Sequence, residues 1–409
     1  MIHDPYQAKA AYRLLSCEGV THPAAIAPHC QQVLKATEEP GDYLIIEDST
    51  ALSFPHRRES SGLGTLGEHS TRGLWAHTAL VVKPDWRRGN DVLLGMLGQK
   101  IWARGQEGWP IESSEQLRWT SLIGAAGGPM RGTRWIFVAD RESDDQAIPQ
   151  SCWANFTSYV IRSHYDRALS GAGGRLWGQA ARAPVQGHRE VEVAGRKKPA
   201  KVTIRSTRCT LRGAQRPGGR LEDWDVNVVY VREEHPPRGV NEPLEWLLLT
   251  DLPVTTFKCC ERVVDIYARR FLIEEWHKAI KTGLRVESSQ LSTAQRLATL
   301  AGILSVIAVL LVQRKLEARL QPDEPVDDQA LDPAMRAVLQ KMYPPPEGVM
   351  TRRWMIRSIA RLGGFLGRQG DGEPGWLTIW RGWQALVLRA QGYELAMATI
   401  ATRPHRNTS

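Results

Sequence analysis

The chain has 409 residues, with 53 lysines and arginines against 44 acidic residues, a net charge of +9 and an isoelectric point near 9.3. That length accommodates two or three domains around a substantial core, and the basic balance points to a polyanionic partner without choosing among DNA, RNA and an anionic membrane surface. Six cysteines without a C-x-x-C pair or Cys/His zinc spacing exclude a zinc module and leave a reducing cytosol as the simplest setting.

In chain order, "MIHDPYQAKAAYRLL" lacks the charged-then-apolar order of a signal peptide, and "AAYRLL" and "HPAAIAPHCQQVLKAT" within residues 1–40 read as helices. In "GDYLIIEDSTALSF", Tyr43 to Ile46 follow a Gly-Asp turn as a near-continuous apolar run, as expected of a strand buried on both faces and ending in Glu47 and Asp48. "WAHTALVVK" and "DVLLGMLGQKIW" read as further strands, "SSEQLRWTSLIGAA" as a helix, and "RWIFVADRESDD" as a fourth strand with Asp140 at its carboxyl end. Sites in open α/β sheets gather at strand carboxyl ends; Asp is equally a common turn former.

From about residue 150 to 250, segments such as "AKVTIRSTRCTLR", "WDVNVVYV" and "EWLLLT" alternate as in an antiparallel β region with Gly/Pro-rich turns. Arg182 to Arg220 holds eleven lysines and arginines against Glu190 and Glu192, so either one sheet face tracks a phosphate backbone or the charge simply solubilises loops. "LATLAGILSVIAVLLV", Leu297 to Val312, is shorter than the ~20 residues that span a bilayer and reads as a buried helix, with no membrane as partner. "QPDEPVDDQALDP" and "YPPPEG" are linker-like breaks. Near the end, Trp376, Trp380, Trp383 and Val387 share one apolar helix face, which is either core or a surface for pairing with a second copy.

The segment "DIYARRFLIEEWHKAIKTG", residues 265–283, reads as one helix with two kinds of face. At about 100° per residue, Ile266, Leu272, Ile273, Trp276 and Ile280 form an apolar stripe. Tyr267, Arg270, Glu274 and Lys281 share a polar strip about 60° wide, and Glu275 stands apart from it. That strip is either a solvated face with helix-spaced ion pairs or a line of functional contacts. If Asp48, Asp140 and Glu274 converge, they need a divalent cation to offset their repulsion, and hard oxygen donors suit Mg²⁺ or Mn²⁺. Such a site performs in-line displacement at phosphate, with Arg270, Lys281 and Tyr267 holding the strand being cut.

The spacing Tyr267-x2-Arg270-x3-Glu274-x6-Lys281 resembles the "YREK" signature of bacterial DDE transposases of the insertion sequence four family, in particular its transposon five branch. "IIEDSTALSF", "VADRESD", "PLEWLLLT", "SIARLGGF" and "GWLTIWRGWQAL" extend the resemblance over nearly the whole chain from residue 10. It implies an α/β protein with an RNase H-like catalytic core (41–150 and 251–320) interrupted by an antiparallel β insertion (151–250). A remnant of an N-terminal helical DNA-binding domain (1–40) and a C-terminal helical dimerisation region (321–409) flank them. The resemblance further implies Asp48, Asp140 and Glu274 as a triad binding Mg²⁺, which Mn²⁺ replaces, and Trp246 and Arg162 as DNA contacts, Trp246 stacking on a flipped base. The implied partners are double-stranded DNA, as transposon ends and target, and a second copy of the chain on that DNA. The implied activity is cut-and-paste transposition through end nicking, hairpin formation and resolution, and strand transfer, in a bacterial cytoplasm at the nucleoid. Because only the close of the family's N-terminal domain precedes Asp48, the alternative is a shortened, dimerising inhibitor or inactive remnant.

Overall fold

The computed structural model describes residues 5–401 except 55–61, 68–70, 107–108, 110–116, 172, 194–195 and 197. Its elements, in order, are α1 (Pro5–Leu14), α2 (His22–Ala36), β1 (Gly41–Ser53), β2 (Gly64–Thr65), β3 (Arg72–Lys83), β4 (Val92–Trp102), α3 (Leu117–Ala126), β5 (Thr133–Ala139), α4 (Ala147–Ala154), β6 (Ser158–Arg162), α5 (Leu176–Arg182) and β7 (Val185–Val191). There follow β8 (Ala200–Leu211), the short β9 (Gln215–Arg216) and β10 (Gly219–Arg220), β11 (Trp224–Arg232), β12 (Glu245–Thr250), α6 (Phe257–Ala268), α7 (Phe271–Lys278), α8 (Ala294–Leu320), α9 (Pro333–Met342), α10 (Arg352–Leu362) and α11 (Trp376–Ala401). They gather into two compact units: Met1–Pro84, Leu94–Glu275 and Gln290–Ile303 in the first, Asp85–Leu93, Trp276–Ser289 and Leu304–Ser409 in the second.

The first unit is mixed α/β, built on a ten-stranded sheet in the order β2-β3-β1-β5-β6-β12-β11-β8-β7, with β4 also on β3. β1–β5 and β5–β6 are parallel, while β1–β3 and the β6–β12–β11–β8–β7 run are antiparallel. Strands from residues 151–250 thus continue the same sheet. The apolar run Tyr43–Ile46 is fully buried because it lies mid-sheet with both faces covered. On one face Tyr43, Ile45, Val81 and Trp135 pack with Val33 of α2 and Leu122 of α3. A neighbouring cluster joins Phe137, Tyr159, Ile161 and Leu249 to Ile148 of α4 and Leu176 of α5.

Contrary to the sequence reading, β1 does not end at Glu47 and Asp48. It runs on to Ser53, because β3 pairs with it from Leu44 to Ser53 and satisfies its backbone after β5 has stopped at Ala139. Nor is 265–283 one helix. Arg269 and Arg270 lie in a tight turn, their amides donating to Ile266 and Tyr267 three residues back, and α7 passes into a π turn, Ala279–Gly283, closed by the Leu284 amide on the Ala279 carbonyl. The apolar stripe holds nonetheless: Ile266, Leu272, Ile273, Trp276 and Ile280 are all buried.

α8 has 27 residues, longer than the apolar run inside it, and by length and composition could cross a membrane. More than half of its apolar window (56%) is buried within the protein, the mark of a core helix, and the Trp276 indole donates to its Ser305 carbonyl at 3.2 Å.

In the second unit α10 and α11 pack closely at two glycines. A methyl group on Gly382 would run into the Ile359 carbonyl oxygen, and one on Gly363 into that of Thr378. The buried stripe of α11 is Trp376, Ile379, Gly382, Leu386 and Ala390, so Trp380, Trp383 and Val387 are only half-buried at its border. Gly382→Ala is expected to destabilise this unit by about 3 kcal/mol or more, since the colliding atom is backbone. Gly392→Ala, with open space around it, is expected to gain about 1 kcal/mol from helix propensity. Thermal melts of the two variants give opposite shifts if this packing is right.

Candidate active site

The sheet register assembles one row of side chains. Ile46 lies opposite Val138, and Val138 opposite Val160. Two residues further on, that register carries Asp48 on β1, Asp140 just past the end of β5 and Arg162 at the end of β6 toward the same face, at a strand spacing of about 4.8 Å. Arg162 pairs across to Leu248 of β12, which brings Trp246 to the same face. The row falls where β5 and β6 end while β1 continues, so backbone no longer fills the space beside Asp48.

Burial, then the charge of Asp140, pushes the Asp48 carboxyl up to about 7, against the pull of Arg270 and of the Ser49 amide, which donates to Asp48 Oδ1 at 2.8 Å. Asp140 is fixed differently: its Oδ1 accepts from the Glu142 amide at 2.8 Å, capping a 3₁₀ turn, Arg141–Ser143.

The turn between α6 and α7 supplies the opposite wall. Thr256 caps α6 by accepting from the Cys259 amide at 3.2 Å, and Tyr267 projects from its far end, Arg270 from the following turn and Glu274 from the first turns of α7. Arg270 Nη1 donates to Asp48 Oδ2 at 3.3 Å, and its Nη2 donates to Glu274 Oε1. Burial works against this guanidinium's charge, yet Tyr267, Glu274, Asp48 and Asp140 together raise its pKa further. Tyr267, itself buried, has its hydroxyl pKa raised by that burial, with Arg270 and Arg162 opposing. Its ring meets Trp246 edge-on, 4.9 Å between centroids, and the Arg270 guanidinium lies 5.9 Å from its ring centre. Arg162 Nη2 donates to the Glu245 carbonyl at 3.0 Å.

Asp48, Asp140, Arg162, Trp246, Tyr267, Arg270 and Glu274, all of the first unit, are thus in this cluster, and Lys281 belongs to the second unit. It lies in the π turn of the second unit, where an 100°-per-residue wheel no longer applies. The basic stretch also differs from a free phosphate-tracking face. Arg189, Arg196, Arg205, Arg208, Arg216 and Arg220 pair with Asp265, Glu233, Glu234, Asp225, Asp145 and Asp223. Those carboxylates are scattered in sequence, which is why a local charge count misses them.

Two supports escaped the sequence reading. Glu47 faces away from Asp48: its Oε2 meets His77 Nε2 at 2.9 Å, and His77 Nδ1 meets Ser49 Oγ at 2.9 Å, with Glu47 and His77 fully buried. Burial pushes the Glu47 carboxyl well above the usual range, Lys100 opposing. A histidine inside the apolar run of β3 was the available signal. The second is Asp144, 4% exposed, which accepts from the Ser163 hydroxyl at 3.1 Å, the His164 and Tyr165 amides at 2.6 and 2.9 Å, and Arg167 Nη1. It ties the chain after Asp140 to the chain after Arg162. Asp144→Ala is expected to cost about 3 to 5 kcal/mol by stranding these donors and a buried arginine, measurable by urea unfolding.

Among the described residues, no group of three or more His, Cys, Asp or Glu side chains could hold a metal ion as it stands. At this site the Arg270 guanidinium spans Asp48 and Glu274. The donor set nevertheless suits a hard divalent cation: two level aspartates whose mutual repulsion raises Asp48, and a glutamate already joined to Asp48 through a cation.

Residues 324–402 match the sequence model of the family described as Transposase Tn5 dimerisation domain. The match comprises α9, α10 and α11, and α11 carries Leu388, Leu395 and Ile400 in exposed positions from its middle to its end.

Proposed function

We propose that this protein is a DDE transposase that excises and inserts DNA by metal-dependent strand cleavage and joining, and that it works as a homodimer. The observation that carries the reading is the row of Asp48, Asp140 and Arg162 facing Arg270 and Glu274, in a chain whose C-terminal segment matches a transposase dimerisation domain. Strand order supports an RNase H-like core. In β4-β3-β1-β5-β6, three strands in chain order run from the centre outward, and two more follow on the other side, parallel to the central one.

In this reading Asp48, Asp140 and Glu274 would hold Mg²⁺ or Mn²⁺, which when bound supplies activation of the attacking oxygen and stabilisation of the leaving one. The chain's own residues do the rest. Arg270 and Arg162 orient the phosphodiester by forked hydrogen bonds, with the Tyr267 hydroxyl as a third contact. Trp246, half-exposed and braced edge-on by Tyr267, offers a face for an unstacked base during hairpin formation. Lys281 is a further candidate phosphate contact. The exposed apolar side chains at the end of α11 meet their counterparts in a second copy. The bacterial cytoplasm, at the nucleoid, is where such DNA would be met.

The test is incubation of the full chain with labelled DNA carrying the element's ends. Nicked ends, hairpins and joined products that appear with Mg²⁺ and vanish with EDTA are expected. Cutting without preference for the ends, or unaffected by EDTA, would contradict the reading.

A further inference from the structure

We propose that Arg270 is the site's built-in counter-cation, competing with the metal for Asp48 and Glu274 until a DNA phosphate draws its guanidinium away. Metal and DNA then load cooperatively. This rests on the proposed function, and goes beyond it in assigning a regulatory device to one residue.

Three observations carry it. First, the guanidinium forks across two carboxylates from different elements, with Asp48 and Arg270 side chains only 14% and 16% exposed, so the contact is sheltered from water and ions rather than a screened surface pair. Secondly, Asp48 Oδ1 is already taken by the Ser49 amide. Oδ2 is the oxygen Arg270 holds, so a cation binding there meets the guanidinium directly. Thirdly, Arg270 sits in the tight turn between α6 and α7, its amide bonded to the Tyr267 carbonyl, so its side chain leaves from a turn while Glu274 is fixed on the following helix.

The charge balance makes the exchange directional. Asp48, Asp140 and Glu274 carry more negative charge than one arginine neutralises, so a divalent cation is drawn in; Arg270 must give up its oxygens as that happens. A phosphodiester offers the same guanidinium a planar, bidentate anion. Each ligand thereby removes the other's competitor, and by linkage the effect is reciprocal.

The experiment measures Mn²⁺ binding to the full chain, by loss of the free-ion paramagnetic resonance signal, with and without a short duplex. Without DNA, Arg270→Gln is expected to bind Mn²⁺ roughly tenfold more tightly than wild type, the scale of one partly buried ion pair. The duplex should tighten Mn²⁺ binding by wild type and leave Arg270→Gln unchanged. If Arg270→Gln does not fold, Arg270→Lys serves: its ammonium keeps the charge but cannot fork across both carboxylates, so it too should bind Mn²⁺ more tightly. Equal or weaker binding by the folded variant, with wild-type binding abolished by Asp48→Asn, overturns the competition alone. Binding that survives Asp48→Asn, or no binding by any of these proteins, overturns the metal-site reading and the competition with it.

Discussion

Alanine at Asp48, Asp140 or Glu274 is expected to lower end cleavage at least about a thousandfold while leaving the circular dichroism spectrum and dimerisation unchanged, since each removes a charge from one shared site. The side chains lie beside one another in register or are joined through Arg270, so the losses should not multiply: the double variant Asp48→Ala/Asp140→Ala should be about as inactive as either single one. Arg162→Ala and Tyr267→Phe should fall far less, because in the proposed reading they would hold the substrate and are not among the metal-binding carboxylates. Cleavage assays on end-bearing duplexes separate the two classes. Multiplying losses, or a Glu274→Ala that cuts like wild type, would mean that the carboxylates do not act as a unit.

Asp48→Asn should abolish the same activity yet make the metal-free protein more stable at pH 8. The Asp48 carboxyl, pushed up to about 7, lies above its value near 3.9 in an unfolded chain. Between those values the folded protein holds a proton that the unfolded one has released, so this group's contribution falls as pH rises from about 4 to 7 and the full penalty stands above 7. A shift of about three pH units corresponds to roughly 4 kcal/mol, and some of it will be lost with the Arg270 contact. A gain of about 2 to 3 kcal/mol in EDTA at pH 8, falling to roughly a third of that near pH 5 and toward zero below about pH 4, is the expected result in urea melts. A variant less stable than wild type at pH 8 would mean that Arg270 more than offsets the burial of Asp48.

Much of this arrangement could be read from the sequence where one periodicity decides. The Tyr43–Ile46 run located a strand buried on both faces, because such a strand is apolar at every position, and the stripe from Ile266 to Ile280 located a helical core face, because one-sided burial writes a period of 3.6. What the sequence hid depends on partners far along the chain. β1 extends through Asp48 to Ser53 only because β3 pairs with it there. The polar strip of 265–283 assumes an ideal wheel, which a tight turn at Arg270 and a π turn at Ala279 both break, so the wheel does not fix the direction of Lys281. The row Asp48, Asp140 and Arg162 follows from parallel register, which no single strand's pattern contains. The tryptophan stripe of α11 pointed near the buried face but was turned from it, because Gly382, with no side chain to count as apolar, is where α10 comes closest.

If these carboxylates bind the divalent ion used for cutting DNA, metal rescue of Asp140→Cys shows it. Sulfur is a poor ligand for Mg²⁺ and a better one for softer ions such as Mn²⁺. Relative to wild type in each ion, the variant should be inactive with Mg²⁺ and regain a measurable fraction of end cleavage with Mn²⁺. Full activity with Mg²⁺, or the same loss in both ions while Asp140→Glu cuts normally, would contradict a metal held by Asp140.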